Sequence, residues 1–159
     1  MKKVLALVLV MMMAFCISAI AEETPVLGFL PPAMTSPFYA SCIEGAQPVA
    51  DALGYELKVL APPSEDDYAT QTSMMEDFIT QGVAGIAVCG INLEALKPAI
   101  TKANEAGIPV VMFNTITELD GVDVYAYSGY NQYNGGAKIA DWVNEQTDGT
   151  AKVAIIEGL

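Results

Sequence analysis

The chain has 159 residues, 53% of them hydrophobic, with no histidine, no arginine and a formal net charge of −12. A strongly acidic chain without arginine repels phosphate backbones and anionic lipid surfaces, so nucleic acid and membrane-surface partners are disfavoured. With no histidine, a His-based catalytic centre is excluded and a zinc site has few ligands to draw on.

In chain order the first feature is a leader. Lys2 and Lys3 precede an apolar run from Val4 to Ile17, and Ala19-Ile20-Ala21 offers small residues at a cleavage position before Glu22-Glu23. Residues 1–21 therefore read as a secretory signal peptide, because the run is too short for a membrane span and acidic residues follow at once. Cys16 does not fit a lipidation box, since Phe15 stands where a small residue belongs. The exported part would begin near Glu22 and carry five lysines against 19 acidic residues, a formal charge of −14. It keeps Cys42 and Cys89, whose apolar surroundings point to separate packed residues rather than a bridge.

Short apolar runs then alternate with helical periods. Val26 to Leu30 reads as a buried strand. Phe38 to Leu53 carries apolar residues at Phe38, Cys42, Ala46, Val49 and Leu53, which is helical spacing; Gly54 ends it, and Pro48 should kink it or make its start irregular. Glu56 to Leu60 alternates as a strand with one less buried face. Ser64-Glu65-Asp66-Asp67 caps a second helix, with Tyr68, Met75, Phe78 and Ile79 inward and Gly82 closing it. Gly85 to Cys89 is continuous and apolar, as a central parallel strand covered on both faces must be. Asn92 caps a third helix with Leu93, Leu96, Ile100 and Ala103 inward, and Pro98 marks where that helix should become regular. Pro109 to Phe113 and Val122 to Tyr127 read as strands, Asn134 to Gln146 as a fourth helix, and Lys152 to Ile156 as a sixth strand.

This alternation predicts an α/β fold, a doubly wound parallel sheet with helices on both faces. The polar connection from Asn114 to Gly121 joins two strands without a helix and is where the chain should approach a domain crossover. Ligands of open α/β sheets bind beyond the carboxyl ends of the strands. That rule selects Pro31 to Tyr39 after the first strand, Cys89 to Asn92 after the third, and Asn114 and Thr115 after the fourth. They offer hydroxyls, amides and aromatic rings but little charge. No G-x-G-x-x-G or G-K-[ST] loop is present, so nucleotide binding loses its main support and no cofactor is expected. A neutral polyol suits such a site, because amides pair with neighbouring hydroxyls and a sugar's C–H face packs on an aromatic ring. Spacing alone leaves Phe38 and Tyr39 open between core and ligand contact, and leaves Asn114 open between turn former and ligand contact.

The segments "SPFYASCIEGAQPVADALGYELKVL", "QTSMMEDFITQGVAGIAV", "NLEALKPAITKANEAGIPVVMFNT", "YSGYNQYNGGAKIADWV" and "KVAIIEG" cover nearly all of residues 25–158. In order and spacing they resemble the first half of a type 1 periplasmic binding protein of the ribose/galactose-binding family, the substrate receptors of ABC importers. The resemblance implies the periplasmic-binding-protein-like I fold, with a first lobe at residues 22–128 and the truncated beginning of a second lobe at residues 129–159. It implies no enzyme activity, a carbohydrate-like small-molecule ligand held between two lobes, an ABC permease as membrane partner, and a periplasmic or cell-surface location. A sensor or chemoreceptor partner is an alternative role, and a LacI-type regulator core shares the fold but is disfavoured by the leader. The implied pocket residues are Ser36, Phe38, Tyr39, Cys89, Asn114, Thr115, Tyr130 and Asn131, with no metal. Ser36 stands where the family has Asn, Asn114 where it has Asp, Thr115 where Arg often follows, and another usual Asp falls at Tyr130 or Gly129. Neutral groups thus replace charged ones.

Overall fold

The computed structural model describes residues 24–156. The leader expected at residues 1–21 and Cys16 lie outside the described residues. Five parallel strands form one sheet: β1 (Val26–Leu30), β2 (Glu56–Val59), β3 (Gly85–Val88), β4 (Val110–Phe113) and β5 (Ala126–Ser128). Their order is β2-β1-β3-β4-β5. Four helices connect or follow them: α1 (Pro37–Ala52), α2 (Tyr68–Gln81), α3 (Leu93–Glu105) and α4 (Gln132–Thr147). The order of winding reverses between β1 and β3, which opens a crevice at their carboxyl ends.

The core lies on one face of the sheet. Leu30, Ile86, Val88, Val110 and Met112 meet Met75 and Phe78 of α2 and Leu96, Ala99 and Ile100 of α3. Gly28 is part of this fit: a Cβ there would come 2.8 Å from the Phe78 ring, so the missing side chain lets α2 lie close on β1. The other face is thinner. There α1 alone covers the sheet, over a cavity of about 710 Å³ lined by Leu27, Phe29, Val49, Leu53, Leu57 and Val111 among others.

Several expectations change here. On α1 only Ala50 is buried, and Phe38, Val49 and Leu53 of its expected inner stripe are 51%, 58% and 66% exposed. A single helix cannot close the face of a five-stranded sheet. The helix starts at Pro37, where a missing N–H costs nothing, and runs past Pro48 to Ala52. Tyr68, the first residue of α2, is exposed, and Gln71 takes an inward place instead. The third helix is regular from Leu93, so Pro98 sits in its second turn rather than at its start. Caps behave as their chemistry predicts: Asp67 Oδ1 accepts from the Thr70 amide at 3.0 Å and Asn92 Oδ1 from the Ala95 amide at 3.0 Å. Gly82 closes α2 in the left-handed region.

The fifth strand is shorter and later than its apolar pattern suggests, at Ala126–Ser128. The segment before it is held by side chain instead of ladder: Asn104 Nδ2 donates to the Asp123 carbonyl at 2.9 Å, and the Asp123 amide donates back to Asn104 Oδ1 at 3.0 Å. The sixth strand is not formed. Residues 152–156 find no neighbouring strand and lie beside α4, and Val153, Ile155 and Ile156 are 69%, 85% and 96% exposed. No residue of α4 is buried.

Candidate functional site

The crevice at the switch between β1 and β3 collects five of the expected residues. Tyr39 enters from the first turn of α1, which follows β1. Ser36 is the N-cap of that helix; its carbonyl accepts from the Tyr39 amide at 3.2 Å, while its side chain makes no capping bond. Cys89 follows β3 directly and is buried. Asn114 follows β4 in the left-handed region at φ 61°, a conformation its short amide side chain tolerates. Tyr39 Oη and Asn114 Nδ2 both lie 3.9 Å from Cys89 Sγ, within the long range of sulfur hydrogen bonds. Phe38 stands edge-to-face against Tyr39, with ring centroids 5.2 Å apart, and leaves about half its surface in solvent. A half-exposed ring at a strand-end crevice offers a flat apolar wall.

Electrostatically the crevice is neutral at its floor. Burial pushes the Cys89 thiol above its ordinary value, and Cys42 and Glu65 add to this. Burial also raises the Tyr39 hydroxyl, reinforced by Cys89 and Glu65. Both groups therefore keep their protons at neutral pH, and either can donate in the contact between them. Among the described residues, Glu65 is the carboxylate whose field reaches them. Its role was not legible in the acidic run Ser64 to Asp67, which reads as a cap. The structure divides that run: Asp67 caps α2, accepting from the Thr70 amide and hydroxyl at 3.0 and 2.7 Å, while the charge of Glu65 is felt at the crevice.

The remaining expected residues gather separately. Thr115, Tyr130 and Asn131 line a crevice of about 280 Å³ where the chain leaves β5 for α4. Thr115 Oγ1 accepts from the Thr117 amide at 3.1 Å, and Asn131 Oδ1 accepts from the Asn134 amide at 2.9 Å as the N-cap of α4. Tyr130 is 60% exposed. This crevice touches the first through backbone: the Asn114 amide donates to the Ser128 carbonyl at 2.7 Å, and Gly129 passes so close that a Cβ would lie 2.5 Å from the Thr115 nitrogen. Cys42 and Cys89 are free thiols. Among the described residues no group of three or more His, Cys, Asp or Glu side chains could hold a metal. The crevice offers hydroxyl, amide, thiol and ring groups for binding.

Sequence reasoning missed Gln71, which is completely buried in α2. Its amide donates to the Cys89 carbonyl and accepts from the Ile91 amide, both at 2.9 Å. The signal lay in its spacing, since it precedes Met75 and Phe78 by four and seven residues on the inner stripe.

Comparison with known proteins bears on this geometry. The ribose import binding protein RbsB of Haemophilus influenzae is 27% identical over 159 residues, 100% of this chain and 53% of that protein. The ribose import binding protein RbsB of Bacillus subtilis is 30% identical over 126 residues, 79% of this chain and 40% of that protein. An ABC transporter periplasmic solute binding protein from Actinobacillus succinogenes, solved with bound D-allose, superposes with a TM-score of 0.69 at 25% identity, covering 77% of this chain and 44% of that one. The chain thus spans about half the length of the curated relatives it matches. The family profile described as "Periplasmic binding protein domain" matches residues 27–159, taking in every described strand and helix but the first residue of β1. On that match, and on a sheet order with its crevice at the β1/β3 switch, the chain belongs to the periplasmic binding protein domain family, with the type I parallel-sheet fold.

Proposed function

We propose that this chain is the first lobe, and the start of the second, of an extracytoplasmic solute-binding protein that delivers a neutral sugar or sugar-like molecule to an ABC permease. The observation that carries the reading is the convergence of Tyr39, Cys89 and Asn114 at the switch crevice. A tyrosine hydroxyl donates, an asparagine amide both donates and accepts, and the Phe38 ring offers a wall for a C–H face. The relatives named for ribose import and the neighbour holding D-allose support the same class of ligand. Residues 1–21 export the chain, residues 22–128 form the first lobe, and the second begins at residue 129.

Binding and not catalysis is the work of the site. The first lobe offers its half of the pocket as a preformed edge; closure of the second lobe over the ligand completes the contacts and excludes water. Thr115, Tyr130 and Asn131 lie where the chain crosses between lobes, so they face the cleft mouth on closure. Neutral hydrogen bonds contribute about 0.5–1.5 kcal/mol each against about 1.5–3 for charged ones. The exchange of charged positions for Asn114, Thr115 and Tyr130 therefore favours a ligand less dependent on charged clamps than an aldopentose.

A thermal-shift panel of pentoses, hexoses, deoxy sugars and inositols on the exported protein tests the proposal. A true ligand at about 100 times its Kd adds about 2.7 kcal/mol of stability. At least one neutral sugar or polyol should raise the Tm, and a panel in which none does would overturn the ligand class.

A further inference from the structure

Where β3 ends at Val88, the next residues lose their sheet partners, yet they do not turn to solvent. The Cys89 amide still donates to the Leu30 carbonyl at 3.1 Å, and its carbonyl is taken by Gln71 Nε2 at 2.9 Å. The Ile91 amide donates to Gln71 Oε1 at 2.9 Å. Gln71 thus replaces the missing strand neighbour with one amide, and the two contacts fix which end of that amide is oxygen. Burying a side-chain amide costs free energy unless both ends are bonded, and leucine would pack as well on the inner face of α2. The polarity at this position serves the β3–α3 turn. That turn has little room: a Cβ on Gly90 would come 2.6 Å from Leu96 Cδ1 and 2.8 Å from Leu93 Cδ2.

We propose that Gln71 is the positioning residue of the ligand crevice: by clamping the turn after β3 it aims the Cys89 thiol at Tyr39 and Asn114. The inference rests on the reading of this crevice as the ligand site for its function, but not for its geometry. Gln71 stands behind the turn and is fully buried, so it acts on a ligand only through Cys89 and Ile91. Its removal leaves the Cys89 carbonyl and the Ile91 amide without partners; the turn opens toward water and the thiol comes with it. A merely space-filling Gln71 would alter stability and leave thiol access unchanged.

Lys58 lies between Cys42 and Cys89, so trypsin places the two thiols on separate peptides and Cys42 serves as an internal reference. Iodoacetamide alkylation of the exported protein is followed by mass spectrometry. In Gln71→Met with unchanged circular dichroism, the Cys89-to-Cys42 labelling ratio should rise about tenfold, the effect of losing a buried hydrogen-bonded clamp. The Tm increase given to the wild type by D-ribose or D-allose should be lost in the same variant. A labelling ratio unchanged in the folded variant would overturn the inference. If neither sugar shifts the wild type while the ratio still rises, the clamp stands, and the ligand is sought among the other sugars and polyols of the panel. Should Gln71→Met fail to fold, Gln71→Glu gives the comparison within one protein. At about pH 5 the buried carboxyl keeps a donor for Cys89, and at about pH 8 it cannot donate. Its labelling ratio, relative to wild type, should rise with pH; a flat ratio contradicts the clamp.

Discussion

Small side chains and their absences set the site at the residue scale. Gly129 has no room for a methyl group, because the clash is with the Thr115 backbone nitrogen at 2.5 Å and not with a movable side chain. Gly129→Ala should therefore destabilise the fold by about 1–3 kcal/mol, measured by urea denaturation. Asp67 carries a different prediction. The Thr70 amide and then its hydroxyl hold the Asp67 carboxyl below its ordinary value of 3.8. A group depressed in the folded state contributes stability that is full above its unfolded pKa and is lost as pH falls through the folded one. The Tm difference between wild type and Asp67→Ala should be constant above about pH 5 and shrink below about pH 4. A difference that persists undiminished at pH 2–3, about the bottom of the carboxylate range, would contradict the cap. At this scale the sequence was informative where chemistry is local: Asp67, Asn92 and Gly82 cap where they were expected to. It marked Gln71 only by its spacing to Met75 and Phe78 and did not mark Glu65, because a glutamine reads as surface and an acid in a capping run reads as cap until the turns they face are known.

Among the elements, the two faces of the sheet differ. Helices α2 and α3 share one face and bury their apolar stripes; Met75, Phe78, Ala99 and Ile100 are fully buried. Helix α1 stands alone on the other face over a groove of about 710 Å³. Phe78→Ala should cost about 3–5 kcal/mol, since its ring fills the space left by Gly28, whereas Val49→Ala should cost less than about 1. Equal losses in denaturant titrations would show that α1 is packed as tightly as α2. Periodicity located every described helix, but it could not say how much of a stripe meets a partner, which is why Val49 and Leu53 were expected inside. Apolar runs also overstated strands at the far edge. Val122 to Tyr125 is tied down by Asn104 and by one bond from the Tyr125 amide to the Val110 carbonyl at 2.8 Å, and a ladder begins only at Ala126.

For the whole molecule, the parallel sheet brings residues that are distant in sequence to one edge: Tyr39, Cys89 and Asn114 are separated by 50 and 25 positions and meet around one sulfur. That meeting follows from strand order, since β1 and β3 are neighbours and their connections leave on opposite faces. That Tyr39, Cys89 and Asn114 come together was therefore legible once alternation gave the sheet, as was the absence of charge on these three side chains. The separation of Thr115, Tyr130 and Asn131 was not: they line another crevice, before α4, where Asn131 caps the helix. The central claim is that a neutral sugar or polyol binds at the Tyr39–Cys89–Asn114 edge. Isothermal titration of the most stabilising sugar into wild type and Asn114→Ala tests it most directly. Loss of one or two hydrogen bonds should weaken binding about tenfold, while alanine in the left-handed region at φ 61° should cost the free protein about 1–2 kcal/mol. Equal affinities in the two proteins would place the ligand elsewhere and contradict the account.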